Sequence, residues 1–86
     1  MMIIKIKDEI NNALDFNQSA TEFIDKLNRI NETDFVVDFE GVFFISMSFA
    51  QAYYSSKKRS PKNITEINLS DDVKPMMRMV EKQIMF

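Results

Sequence analysis

The 86-residue chain has no cysteine and no histidine, one glycine and two prolines. Without cysteine there is neither a disulfide staple nor a thiolate metal site, which fits a reducing compartment. Without histidine the commonest general base and transition-metal ligand are gone, as are Ser-His and Cys-His pairs. No apolar run approaches the roughly 20 residues that span a bilayer. The opening "MMIIKIKDEINN" puts lysines inside its apolar run and acids after it, so it does not read as a secretory leader. Eleven basic and 13 acidic residues leave a net charge of −2 and no overall electrostatic case for nucleic acid. These exclusions point to a cytoplasmic protein with no cofactor, no membrane contact and no nucleic-acid partner.

What remains is a chain that is 45% hydrophobic, enough for one modest core and a single domain over 1–86. "MIIKI", residues 2–6, is short and β-branched and reads as a strand. Residues 7–18 mix turn formers with Ile10, Leu14 and Phe16, which are placed to tuck under the turns, and no firm element is expected there. In "SATEFIDKLNRI", Ser19 and Glu22 have capping-box spacing, and Ala20, Phe23, Ile24, Leu27 and Ile30 form a helical stripe. Glu22 and Lys26 sit four apart on the wet side, acid first. "DFVVDF", residues 34–39, is nearly all apolar and suggests a strand buried on both faces. Gly41 marks a turn, and "VFFIS" leads into a helix, "SFAQAYYSSKK", where Ser48 and Gln51 again have capping-box spacing. Phe49, Ala52 and Tyr53 share a face of that helix and Tyr54 points elsewhere. "KKRSPKN" reads as a basic loop and "ITEINL", residues 64–69, as a third strand. "SDDVKPMMRMVEKQIMF" closes as a helix capped by Ser70 or Asp72, with Pro75 confined to its first turn. Its core stripe is Val73, Met76, Met77, Val80 and Ile84. The alternation predicts a small α/β sandwich, βαβαβα, whose right-handed crossovers make the sheet mostly parallel.

At "VVDFEGVFFISMSFA" the chain resembles the STAS-like domains, the group related to bacterial anti-anti-sigma factors, and within it a subgroup of unknown function. The resemblance rests on Asp38-Phe39 at the strand end, the Gly41-Val42 turn, Phe43-Phe44-Ile45, and Ser48-Phe49-Ala50 opening a helix. The tail "ITEINLSDDVKPMMRMV" adds to it, so it covers roughly residues 34–82, and the N-terminal third weakly. The resemblance implies a helix-covered sheet, no catalysis, and regulation of a partner protein by binding; in anti-anti-sigma factors the partner is an ATPase-fold kinase that also holds a sigma factor. That kinase phosphorylates a serine at the start of the helix after the second main strand. Here the modified position falls on Met47, with Ser48 following; the usual aspartate falls on Ser46 and the small glycine on Phe49. Gln51 and Ala52 stand where the subgroup is acidic.

The expected recognition surface gathers Asp38, Glu40, Ser46, Met47, Ser48 and Phe49, because carboxyl ends of strands and helix N-termini meet in one crevice of an open α/β sheet. Ser48 is both the expected N-cap and the candidate phosphoacceptor, with Ser46 second. Asp38 reads either as an acid/base or cation group with Glu40, or as the acceptor that fixes the turn. Lys57, Lys58, Arg59 and Lys62 form either a solvated loop or a phosphate contact. Met79, Met85 and Phe86 lie off the core stripe and are the candidate patch for a homodimer. A phosphotransfer domain using Asp38 with Ser48, and a structural homodimer, stand as alternatives to the binding module.

Overall fold

The computed structural model describes residues 1–86. Nine elements follow one another: β1 (Met2–Lys5), α1 (Ile6–Glu9), β2 (Ala13–Leu14), α2 (Asn17–Arg29), β3 (Asp34–Asp38), β4 (Phe44–Ile45), α3 (Met47–Arg59), β5 (Asn63–Ile67) and α4 (Lys74–Met85). The main sheet has the order β1-β3-β5, and both its ladders are parallel. Phe35 of β3 lies between Met2 and Ile64, and Val37 between Ile4 and Glu66. The expected βαβαβα sandwich with a parallel sheet is what forms.

The strands add to the sheet in chain order. Right-handed crossovers between successive parallel strands then put every connecting helix on the same face. Accordingly α3 packs against α2 on one flank and α4 on the other. The result is two layers rather than three, and it corrects the expectation for residues 34–39. Phe35 and Val37 are buried under the helices, but Val36 is only half-buried and its neighbours Ile3 and Thr65 are exposed, Ile3 by 60%. A nearly continuous apolar run here marks the middle strand of a one-sided sheet.

The core joins Ile6, Leu14, the α2 stripe, Phe35, Val37, Phe39, Ile45, the α3 aromatics, Val73, Met77 and Val80. Because α3 is the middle helix, it buries more than one face: Phe49, Ala50 and Tyr53 are sealed, and so is Tyr54, which was expected to point away. In α4, Val73, Met77 and Val80 are buried while Met76, Ile84 and Met85 pack half-buried against the core. Met85 therefore does not belong to an exposed patch with Met79 and Phe86, which are 40% and 90% exposed. Pro75 sits in the first turn of α4, as its missing N–H requires. The cap is Val73 rather than Ser70 or Asp72, reached through a turn in which the Val73 and Lys74 N–H groups donate to the Ser70 carbonyl.

Residues 7–18 carry more structure than their composition suggests. Ile6 is buried in the short α1, and Ala13-Leu14 pairs in parallel with Phe44-Ile45 as a second, two-residue ladder. This ladder leads each strand into a helix, so the N-caps lie ahead of their capping-box patterns, by three residues in α2 and by two in α3. Phe16, not Ser19, is the N-cap residue of α2 and makes no side-chain cap. Glu22 accepts from Gln18, and Lys26 pairs with Glu9 across to α1.

Candidate functional site

The carboxyl ends of β3 and β5 meet the start of α3. Asp38 ends β3 nearly buried, and its Oδ1 accepts from the Glu40 N–H at 2.9 Å and the Asn68 Nδ2 at 3.0 Å. The Asn68 amide and then the Glu40 N–H hold its carboxyl below the usual aspartate range. Asn68 takes a left-handed backbone (φ 59°), which asparagine tolerates well, and this aims its side chain at Asp38. Asp38 is thus the acceptor that fixes the turn.

The turn that follows needs its glycine. Gly41 has φ 82°, and a Cβ there would lie 2.8 Å from Cδ and Nζ of Lys7. Glu40 stays exposed and accepts from Lys5 Nζ at 3.3 Å, a bond that raises the lysine ammonium above its ordinary value.

Ser46 caps α3. Its Oγ accepts from the Phe49 N–H at 3.0 Å, donates to the Asp15 carbonyl at 2.8 Å, and lies 3.2 Å from Ser48 Oγ. The expectation that Ser48 is the cap is corrected: it is the second residue of the helix, exposed, with its hydroxyl over the first turn. Asp38 hydrogen-bonds to neither serine, so the pairing of Asp38 with Ser48 that a phosphotransfer reaction would use is not made. Phe49 is also corrected. It is fully buried and stacked on Tyr53 with ring centroids 6.5 Å apart, so it belongs to the core and not to a recognition surface.

In place of Phe49 the same end of the molecule exposes Phe16 (74%), Phe43 (56%), Phe44 (46%) and Met47 (46%). The segments carrying them are stitched together: the Phe43 N–H donates to Asn12, Phe44 pairs with Ala13, the Ser46 N–H donates to Leu14, and Ser46 Oγ holds the carbonyl before Phe16. Four large apolar side chains are thus held in solvent on backbone that is hydrogen-bonded together. Two signals for them were present. Phe43 and Phe44 are adjacent, so strand alternation turns at least one of them outward, and Phe16 stands between Asp15 and Asn17 outside any stripe.

A second polar constellation lies between α3 and β5. Tyr53 Oη donates to Glu66 Oε2 at 2.8 Å, and Lys57 Nζ reaches both Glu66 oxygens at 2.9 and 3.0 Å. Lys57 Nζ also sits 5.6 Å from the Tyr54 ring centroid, a cation–π distance. Burial first, and Glu66 second, push both tyrosine hydroxyls well above their usual range. The basic cluster is largely consumed by such contacts: Lys58 donates to the Ile84 carbonyl and Lys62 to the Ile30 and Glu32 carbonyls, while Arg59 remains in solvent.

No group of three or more acidic side chains converges to hold a metal ion, and no helix is long and apolar enough to cross a membrane. No protein-family model matches the chain, nor does any curated protein or solved structure.

Proposed function

We propose that this chain is a non-catalytic, STAS-like regulatory module that binds a partner protein through the carboxyl end of its sheet. The observation that carries the reading is the exposed quartet Phe16, Phe43, Phe44 and Met47 around the first turn of α3. Tethered segments lose little freedom on binding, and aromatic and methionine side chains are favoured at the centres of interfaces. Glu40 and Ser48 at the margin of the quartet supply polar specificity, while Asp38 and Ser46 hold the backbone. The likeness of residues 34–82 to STAS-like domains points to a partner of the ATPase-fold kinase or sigma-regulator kind.

The test is capture of the partner from the source organism by wild type and by a Phe16→Ser/Met47→Asp variant. Both positions are exposed, so the circular dichroism spectrum is expected to be unchanged while the partner is lost. A variant that retains the partner rejects this surface.

A second reading draws on Ser48, whose exposed hydroxyl stands in the first turn of α3 where a phosphate would meet helix N–H groups. It makes the chain a phosphoacceptor, and phosphate found on Ser48 after incubation with ATP and the captured kinase supports it. A homodimer through Met79 and Phe86 is the third, and a monomer mass unchanged with concentration removes it.

A further inference from the structure

Both outer strands of the main sheet have a free edge, but the two edges differ. In β5 the Asn63 N–H donates to the Thr33 carbonyl and the Ile67 carbonyl accepts from Phe39, so the odd-numbered residues bond toward β3. With a two-residue period, the N–H and C=O groups of Ile64 and Glu66 face away, and no other strand pairs with them. Beside this edge run two adjoining hollows, of about 290 and 360 Å³, which share Glu66, Leu69 and Arg78. Their far wall is α4. Along it Glu81 lies toward the Ile64 end, Arg78 at the middle and Lys74 toward Asn68.

The charges on that wall are not spent. Lys57 neutralises Glu66 on the floor, while on the wall none of Lys74, Arg78 and Glu81 takes part in any ion pair, so Lys74 and Arg78 outnumber the one acid there. At the opposite edge the balance is reversed: Lys5 is paired with Glu40 and the Met1 ammonium with Glu32, and no hollow borders β1.

We propose that the free edge of β5 and the facing side of α4 form a second binding groove, which takes an extended acidic peptide segment of a partner protein as a fourth strand. Main-chain bonds to Ile64 and Glu66 supply the pairing, and alternate side chains of the added strand point at α4. Two acidic residues spaced i, i+2 then meet Arg78 and Lys74. A second copy of this chain is the poorer occupant, because it brings its own Lys74 and Arg78 with it. The groove is independent of the apical surface proposed above.

The probe is an acetylated peptide of about ten residues alternating Glu and Val, titrated into the isotopically labelled full-length chain and followed by amide NMR shifts. Expected are shifts concentrated at residues 64–68, and affinity at least about tenfold weaker for Lys74→Glu/Arg78→Glu, since like charges across an interface are strongly disfavoured. A Lys/Val peptide is expected to bind at least about tenfold more weakly, and methylation of alternate peptide nitrogens to abolish binding in one register only. The Phe16→Ser/Met47→Asp variant binds the peptide like wild type, so failure of the apical surface and failure of this groove are distinguishable. Absence of shifts at millimolar peptide, equal binding of both peptide charges, shifts centred elsewhere, or self-association through the same amides each overturns the proposal.

Discussion

The carboxyl-end ledge and the Tyr53–Lys57–Glu66 network solve opposite problems with similar residues. At the ledge, polar groups serve the backbone: Asp38 and Ser46 accept from main-chain N–H groups, and large apolar side chains are left in water. In the network, a carboxylate and an ammonium are drawn under aromatic rings and satisfy one another. The side chains of Lys57 and Glu66 are only 14% and 8% exposed, against 46% and 60% for the ledge pair Lys5–Glu40. Screening makes the ledge pair almost worthless to stability, whereas removing one member of the network strands the other in a poor dielectric. One region holds the molecule in register; the other leaves its large side chains in solvent.

The largest effect that breaks the comparison is expected at Lys57. Lys57→Met leaves the Glu66 carboxylate with only the Tyr53 hydroxyl, and urea unfolding is expected to show a loss of about 3 kcal/mol. The triple variant Lys57→Met/Glu66→Leu/Tyr53→Phe removes every member together and is expected to be more stable than the single one. If the single variant lies within about 0.5 kcal/mol of wild type, the pair is screened after all and the contrast with the ledge disappears.

Alkaline pH sharpens the same contrast. Tyr53 and Tyr54 are the only tyrosines in the chain, and both hydroxyls are held protonated well beyond their ordinary range. Their folded pKa values exceed the unfolded value near 10, so the unfolded state loses these protons first as pH rises. The stabilisation is therefore complete below pH 10 and declines above it. Tyrosinate absorbance is expected to appear only together with unfolding. A reversible titration near pH 10 in the folded protein would show the hydroxyls to be accessible.

The smallest effects separate the two serines of the ledge. Ser46→Ala removes the cap of α3 and the tether to Asp15, and is expected to cost about 1 kcal/mol. Ser48→Ala is expected to change stability by no more than about 0.5 kcal/mol. Equal losses measured in thermal melts would return the capping role to both.

Helices α2, α3 and α4 were legible from the helical spacing of their apolar residues, and the three main strands from short apolar, β-branched runs rather than from any alternation. The helix starts were not. Ser19–Glu22 and Ser48–Gln51 both fit a capping box, but the β2–β4 ladder leads the chain into helix earlier, and a two-residue ladder leaves no pattern in sequence. Asp38 was correctly legible as a turn acceptor because its partner N–H is two residues away. Phe49 was misplaced because it was assigned to the crevice where strand ends meet the helix N-terminus, although it shares a helix face with Tyr53, which is buried. The Tyr53–Glu66 bond spans 13 residues and depends on the placement of β5, so no local pattern announces it.

The β1-β3-β5 order also sets how the molecule breathes. Either outer strand can detach by breaking a single ladder, and the remainder keeps a paired backbone. β3 can be released only if both ladders break, which is tantamount to unfolding the whole domain. Its inward-bonded amides should thus be the last to trade their protons with water, and the edge that proffers Ile64 and Glu66 should lie at the more yielding end of the same scale.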